Sequence, residues 1–303
     1  MKIAYLILAH IEPEHIARLA LKLTKGSKNE VFVHIDKKAD ESVFRNAIGK
    51  SDSIHFVEDR QSVSWAGFAM VRATINSMRQ AMRQGEFDRY VMLQGVDYPI
   101  LSNAKIDSFF DKHRDTEFIL ASNHTHSGDY KELHKYRNYW FLDNPNAHQK
   151  LINIANKVLL KLHLYLPLKK PYIYIGSRKY EIYGGNAHLS FTRPAVKYIL
   201  EFYDNNPDFN KYFSTAYASD ESYFHTIIYN SEFLEKTQEK RAVPYEDSSI
   251  ARLLNLTYYE YPDVVVVFKK KDDYPKLLGS GCLYFRKATN ESGELLDYID
   301  EHL

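Results

Sequence analysis

Two aspartates in this chain follow apolar runs of the kind that form buried strands. Asp36 comes directly after Glu30–Ile35, and Asp97 follows Tyr90–Leu93 across a glycine turn. The carboxyl edge of a parallel sheet is where nucleotides bind in open α/β folds, so both carboxylates are candidates for a nucleotide site. At the level of residue type, Asp36 is also consistent with a helix N-cap or a partner for the lysines that follow it.

An acidic pair and a basic pair further along the chain are suited to group transfer. Asp220 and Glu221 open a helical segment, where a carboxylate can act as a general base or complement the helix dipole. Arg286 and Lys287 follow an apolar run and could neutralise a departing diphosphate without a metal. Exposed basic pairs are also common on protein surfaces, so residue type alone leaves both interpretations open.

The elements that must position these side chains follow an alternating strand and helix pattern over the first 120 residues. This pattern is typical of a mainly parallel sheet covered by helices on both faces. Pro99 is expected to end strand pairing after Asp97, and Asn103 to cap the next helix. The predicted strands are Ile3–Ala9, Glu30–Ile35, Ser53–Val57, Tyr90–Leu93 and Glu117–Leu120, and the predicted helices are Pro13–Leu23 and Gly67–Arg83.

The pattern changes after residue 121. It predicts a helix over Arg193–Phe202 and a strand through Val264–Val267. No linker-like run of Gly and Ser divides the chain, which favours a single domain over 1–303. We expect residues 1–121 to form its nucleotide-binding half, and 122–303 its acceptor-binding and catalytic half.

The composition argues against several classes of protein. Forty basic residues balance 39 acidic ones across 303 residues, so no net field favours nucleic acid. Cys282 is the only cysteine, which rules out an intramolecular disulfide and favours a cytoplasmic location. No segment approaches the roughly 20 apolar residues of a membrane span. No zinc-ligand spacing and no Gly-x-Ser-x-Gly elbow is found.

The spacing of aspartates bears on metal dependence. Metal-dependent nucleotide-sugar enzymes usually hold Mg²⁺ or Mn²⁺ with two aspartates that are separated by a single residue, on the turn after a central strand. No such pair occurs in this chain, and the turn Gln94–Asp97 offers one carboxylate. The sequence therefore favours a site without metal or other cofactor. A divalent ion held by Asp97 and a diphosphate is the alternative.

Residues 153–170 combine apolar and basic positions. We expect this segment to make peripheral contact with the anionic inner face of a membrane. A connecting helix packed on the core is the alternative. The apolar positions are Ile154, Val158, Leu159, Leu162, Leu164 and Leu166, and the basic ones are Lys157, Lys161, Lys169 and Lys170.

Six blocks of sequence, taken in order, resemble the core-2/I-branching β-1,6-N-acetylglucosaminyltransferases, a family that also holds the peptide O-xylosyltransferases and bacterial members. The blocks are Ala4-Tyr-Leu-Ile-Leu-Ala-His10, Val33-His-Ile-Asp-Lys-Lys38, Val63-Ser-Trp-Ala-Gly67, Leu93-Gln-Gly-Val-Asp-Tyr-Pro-Ile100, Ser219-Asp-Glu221, and Tyr274-Pro-Lys-Leu-Leu to Phe285-Arg-Lys287. The resemblance implies a GT-A fold and inverting, metal-independent transfer from a UDP-sugar to a glycan hydroxyl. N-acetylglucosamine is the first expectation for the sugar and xylose the second, in a bacterial enzyme.

The resemblance also implies roles for several of the candidate residues. Glu221 matches the catalytic base, and Lys287, with Arg286 beside it, matches the cation on the diphosphate. The donor-binding candidates are His10, Asp36, Trp65, Gln94 and Asp97, and the acceptor-binding candidates are Arg137, Gly185, His188 and Asp220.

The chain departs from the family pattern in two places, and two other functions stay open. It has Gly185-Asn-Ala-His-Leu189 where the family often has Gly-Ser-Gln-Trp-Trp. A second diphosphate arginine has no match, so Arg241 or Lys269–Lys271 are the candidates to replace it. A metal-dependent transferase using Asp97 and a non-catalytic sugar- or nucleotide-binding protein on the same fold are the alternatives.

Overall fold

The computed structural model describes residues 1–164, 168–249 and 253–302. Its strands, in chain order, are β1 Ile3–Ala9, β2 Glu30–Ile35, β3 Ile54–Phe56, β4 Arg89–Gln94, β5 Asp97–Pro99, β6 Ala121–Asn123, β7 Tyr172–Ile175, β8 Arg178–Glu181, β9 Tyr183–Gly185, β10 Ser190–Thr192, β11 Thr257–Tyr258 and β12 Tyr284–Arg286. Its α-helices are α1 Pro13–Thr24, α2 Glu41–Ile48, α3 Ala69–Gln84, α4 Asn103–Lys112, α5 Tyr130–Arg137, α6 Ala147–Lys161, α7 Arg193–Asn205, α8 Pro207–Phe213, α9 Tyr223–Tyr229, α10 Tyr274–Gly279 and α11 Gly293–His302.

The central sheet has the strand order β10-β4-β1-β2-β3. The four strands β1 to β4 run parallel, and β10 pairs with β4 in the antiparallel direction. The predicted α/β fold with a mainly parallel sheet flanked by helices is confirmed.

Apolar cores cover both faces of this sheet because successive side chains of a buried strand point to opposite sides. Leu6 of β1 belongs to the core that contains Val71 and Ile75 of α3. Its neighbour Ile7 belongs to the opposite core, with Leu19 of α1 and Ile299 of α11. A continuous apolar run in β1 is therefore required to fill both cores. Polar side chains are confined to the carboxyl end of this strand.

A second sheet of three strands, in the order β11-β12-β5, stands next to the end of β4. In it β12 pairs antiparallel with β5, which places Arg286 opposite Asp97. The expectation that Pro99 ends strand pairing is wrong. Pairing continues past the proline because Ile100 N donates to Leu283 O at 2.8 Å, so the missing N–H of Pro99 is not needed.

Two other local expectations are also wrong. Asn103 is the first residue of α4 and not its cap, and its Nδ2 instead donates to the carbonyls of Lys22 and Lys25 at the end of α1. Residues 117–120 are not a strand: Glu117 and Phe118 form isolated bridges, and the regular strand β6 begins at Ala121.

The valine run 264–267 is not a strand, although valine strongly favours one. Two backbone hydrogen bonds join Val266 and Phe268 to the N–H and the carbonyl of Lys287. Lys287 N donates to Val266 O at 3.2 Å, and Phe268 N donates to Lys287 O at 3.1 Å. The segment thus fixes the backbone of Lys287, while the side chain of Val264 is largely exposed.

Within the described ranges, no helix combines the length and the apolar character needed to cross a bilayer.

Candidate active site

The carboxyl ends of β1, β2 and β4 meet at one edge of the sheet. Asp36 N donates to Ala9 O at 2.8 Å, and Gly95 N donates to Leu8 O at 2.8 Å. A Cβ on Gly95 would lie 2.7 Å from the Ile16 side chain and 3.0 Å from the Ala9 side chain, so this close approach requires glycine. The end of β1 is thus bonded to the residues that follow β2 and β4.

Three predicted donor-binding residues lie along this edge. His10 follows β1 and is exposed, and Gln94 ends β4. Asp36 follows β2 and is buried, and its Oδ1 accepts from Lys38 N at 2.9 Å. The structure therefore brings His10, Asp36 and Gln94 together, as the positions of their strands indicated.

Trp65 extends this edge toward the acidic pair. Lys38 Nζ lies 3.6 Å from Asp36 Oδ2 and donates to Val63 O at 2.6 Å, which ties the loop before Trp65 to the end of β2. The Trp65 ring is 79% exposed, and its centroid lies 5.7 Å from that of Tyr217. An open indole face at this place can stack on a sugar or a base.

Asp97 is fully buried. Its Oδ2 accepts from Gln94 N at 2.7 Å and lies 3.1 Å from His188 Nε2. Its Oδ1 has no hydrogen-bond partner among the described residues. Within that same part of the chain, no three His, Cys, Asp or Glu side chains are grouped so as to hold a metal ion.

His188, a predicted acceptor-binding residue, contacts residues predicted on the donor side. Asn186 Oδ1 accepts from His188 N at 2.9 Å and lies 2.6 Å from His188 Nδ1, so this network assigns a proton to Nδ1. His188 Nε2 lies between Asp97 and Arg286 Nη1, which is 3.4 Å away. The histidine therefore connects the turn after β4 with the first cation of the basic pair.

Asp220 faces the interior of the cleft. It lines a cavity of about 20 Å³ together with Leu8 and Gln94, which is room for one water molecule. Burial, helped by the neighbouring charge of Glu221, raises the pKa of Asp220 to about 7, although the positive charge of Arg286 acts against this. Arg286 is therefore close enough to Asp220 for its charge to act on this carboxyl.

Glu221 lies at the open side of the same short 3₁₀ turn, residues 219–221, with half of its side-chain surface exposed. Crowding by protein atoms around the carboxyl raises the pKa of Glu221, and the positive charge of Lys135 acts against this. Lys135 Nζ lies 3.9 Å from Glu221 Oε2. A carboxylate with a raised pKa that opens to solvent can take a proton from a bound hydroxyl.

Lys135 belongs to a charged set that the sequence reasoning missed. Its Nζ lies 3.1 Å from Glu132 Oε2, which lies 3.1 Å from His124 Nδ1. Burial alone would raise the pKa of Glu132, but His124 and Lys135 more than offset it and lower the pKa to about 2. The spacing of Glu132 and Lys135 along α5 was the available signal. Nothing local indicated that this helix reaches Glu221.

Backbone bonds fix the turn that carries the acidic pair. Tyr217 N donates to Lys135 O, and Ala218 N donates to Ala66 O, both at 3.0 Å. Both alanines have left-handed backbones, with φ of 62° at Ala66 and 52° at Ala218. A non-glycine residue in this region stores strain, which the surrounding contacts must hold in place.

Other candidates lie apart from these contacts. Arg137 ends α5, where its carbonyl accepts from Lys169 N. Gly185 is explained by packing, because a Cβ there would lie 2.1 Å from Leu120 O. Lys269 forms an ion pair with Glu291, and Arg241 is exposed.

The pKa of Asp220 has a consequence for stability. Its folded pKa is about 7 against an ordinary value of 3.8, so the folded state binds the proton more tightly and loses stability as pH rises between these values. Asn cannot ionise. We therefore expect Asp220→Asn to melt a few degrees above the wild type at about pH 8 and to lose this advantage near pH 4.

Thermal melts across this pH range measure the effect, with Asp52→Asn, at an exposed carboxylate, as the control. A difference in melting temperature that does not change with pH would contradict the raised pKa.

A mainly parallel α/β sheet with polar side chains at its carboxyl edge defines an open α/β fold of the nucleotide-binding type, the class that includes the GT-A folds. The model of the Core-2/I-branching enzyme family matches residues 3–260, and the chain belongs to this family. The expected family is confirmed, and relatives in it are glycosyltransferases by name.

Two relatives illustrate the match. The β-glucuronosyltransferase GlcAT14A of Arabidopsis thaliana is 24% identical over 326 aligned positions, which cover 100% of this chain and 64% of the relative. Xylosyltransferase 1 of Rattus norvegicus is 20% identical over 241 positions, covering 76% of this chain and 26% of the relative. The chain therefore spans less than two thirds of the length of GlcAT14A.

Proposed function

We propose that this protein is an inverting glycosyltransferase that moves a sugar from a UDP donor to a hydroxyl of a glycan acceptor without a metal. The observation that carries the proposal is the opposition of charges across one cleft. The carboxylate of Glu221 opens to solvent beside Lys135, while Arg286 lies beside the turn after β4. A base on one side and cations on the other is what a single displacement requires.

In the proposed mechanism, Glu221 takes the proton from the acceptor hydroxyl. The hydroxyl oxygen attacks the anomeric carbon from the face opposite UDP, and the bond to the diphosphate breaks. Lys287, with Arg286, stabilises the negative charge on the leaving diphosphate. General-base help is worth roughly 10²–10⁴-fold in rate. An α-linked donor gives a β-linked product, which inverts the anomeric configuration.

The donor sugar is proposed from the family. N-acetylglucosamine is the first candidate and xylose the second. The name of GlcAT14A adds glucuronic acid to the set that a donor screen must include. A glycan on a bacterial surface, or one still carried on a lipid, is the proposed acceptor. We also propose a cytoplasmic location and a peripheral membrane contact through residues 153–170. Within this segment, residues 165–167, including Leu166, lie outside the described residues.

One observation favours the metal-dependent alternative. Asp97 Oδ1 is buried and has no hydrogen-bond partner among the described residues, so it is the atom to which a divalent ion could bind together with a diphosphate. The other oxygen is already engaged by Gln94 N and His188.

Nucleotide selectivity tests the donor. We expect UDP to raise the melting temperature by several degrees and GDP or CMP to have far less effect, because Asp36 matches the uridine side of the family site. Ligand at 100 times its dissociation constant adds about 2.7 kcal/mol to the free energy of unfolding.

Differential scanning fluorimetry measures this shift. Asp36→Asn should lower the response to UDP, and Asp52→Asn, at an exposed carboxylate in the turn before β3, should not. An equal response of the wild type to all three nucleotides would remove the support for a uridine donor.

A further inference from the structure

Helix α6 turns the side chains of Asn153 and Asn156 toward the protein. Asn153 Nδ2 donates to Phe141 O at 2.6 Å, and Phe141 N donates back to Asn153 Oδ1 at 3.0 Å. Asn156 is buried, and its Nδ2 donates to Tyr139 O at 2.7 Å. A surface helix ordinarily buries its apolar stripe. Here amide side chains hold the helix to residues 139–141.

The opposite side of α6 is apolar and faces solvent. The outer α6 face consists of Leu151, Ile154, Val158 and, one residue past the helix, Leu162. They are exposed by 65%, 57%, 52% and 62%. At 100° per residue, these positions form one stripe. A contiguous exposed apolar stripe of this kind marks a contact with a partner or a membrane.

Three lysines lie along one flank of this stripe. Lys150, Lys157 and Lys161 are all exposed, and their spacing of seven and four residues places them on one line beside the outer α6 face. Residues 147–161 contain no Asp or Glu. An apolar face with a purely basic flank fits the boundary between acyl chains and anionic headgroups.

We propose that the outer α6 face docks on an anionic membrane surface. Leu151, Ile154 and Val158 enter the boundary between headgroups and acyl chains, and the lysines meet lipid phosphates. A second copy of this chain is a poorer occupant, because its α6 presents the same lysines and no carboxylate to pair with them.

The docking surface is tied to the acidic pair. Residues 139–141 anchor α6, and the ring of Trp140 packs 4.9 Å from that of Tyr217, just before the turn 219–221. The expectation that Lys169 meets the membrane is wrong, because its Nζ donates to Thr215 O at 2.9 Å and so strengthens the connection within the protein. This step rests on the proposed function: an acceptor glycan carried on a membrane lipid would reach Glu221 from the docked side.

Sedimentation with sucrose-loaded vesicles tests the docking. We expect the full chain to bind vesicles that contain phosphatidylglycerol and to bind pure phosphatidylcholine vesicles weakly. Changing the three lysines to Gln should lower partitioning to anionic vesicles by about 100-fold at low salt. Leu151→Gln, Ile154→Gln and Val158→Gln together should lower this partitioning by about 100-fold or more, because binding needs both the buried apolar area and the electrostatic attraction to anionic lipids.

Matched controls use exposed side chains elsewhere. Leu21→Gln with Val43→Gln, and a triple Gln variant at Lys25, Lys28 and Lys50, should bind vesicles as the wild type does. All variants should keep the circular dichroism spectrum and the thermal response to UDP, because every substituted side chain is exposed.

Three results would overturn the docking proposal: absence of wild-type binding to anionic vesicles, equal binding to neutral vesicles, or binding unchanged in the α6 variants. A solution dimer that the α6 variants dissociate, seen by analytical ultracentrifugation, would also overturn it by assigning the face to self-association. Failure of the proposed function is distinguished by the loss of any response to UDP, whatever the vesicles show.

Discussion

Replacing Glu221 by glutamine should lower turnover by about 10²-fold or more while donor affinity changes little. Glutamine keeps the shape and the hydrogen-bonding capacity of the side chain but cannot take a proton at neutral pH. The base acts on the acceptor hydroxyl, so binding of the UDP-sugar should be spared. Steady-state kinetics with a saturating acceptor, together with calorimetric titration of UDP, separates the two effects.

Asp220 is the matched control beside it. Asp220→Asn makes the same chemical change one residue away, at a carboxyl that faces the buried cavity rather than solvent. We expect it to alter the pH dependence of stability and to leave most of the turnover. The pKa of Asp220, about 7, is itself in the range of an effective base. Loss of turnover in Asp220→Asn with near-wild-type turnover in Glu221→Gln would therefore show that Asp220, and not Glu221, is the base.

Replacing Lys287 by alanine should lower kcat/KM by about 10²-fold and weaken UDP binding at the same time. Within the described residues the Lys287 side chain has no ion pair, whereas Arg286 lies beside His188 and opposite Asp97. An ammonium group without a carboxylate partner can meet the full charge of a diphosphate in both the ground and the transition state. Kinetics and UDP titration on the same preparation measure the two losses.

Lys269→Ala is the control for Lys287. It removes a lysine from the segment that packs along Lys287, but one that already pairs with Glu291 at the surface. We expect near-wild-type kinetics for it, and we expect the wild-type enzyme to stay active after exhaustive chelation with EDTA. Complete loss of activity on chelation, restored by Mn²⁺, would favour the alternative in which Asp97 and the diphosphate hold a metal.

The sequence alone determined the four parallel strands of the central sheet and the edge where their polar residues lie. Buried strands carry their signal within a few residues, since an apolar run such as Ile3–Ala9 is satisfied only with both faces covered. Asp36 comes directly after such a run and Asp97 comes one short turn after another, so their place at the carboxyl edge could be predicted. The blocks that resemble the family were local as well, and the family model matches residues 3–260, a range that contains five of the six blocks.

Only the tertiary structure decided which distant side chains meet. The contact of Lys135 with Glu221 and that of His188 with Asp97 join segments far apart in the chain. The valine run 264–267 does not form a regular strand, and the backbone of Val266 bonds to Glu260 and Lys287. Helix α6 turned its amides inward because residues 139–141 offered backbone groups to satisfy. Local periodicity states which residues share a face, but the neighbour that satisfies the backbone decides which way that face points.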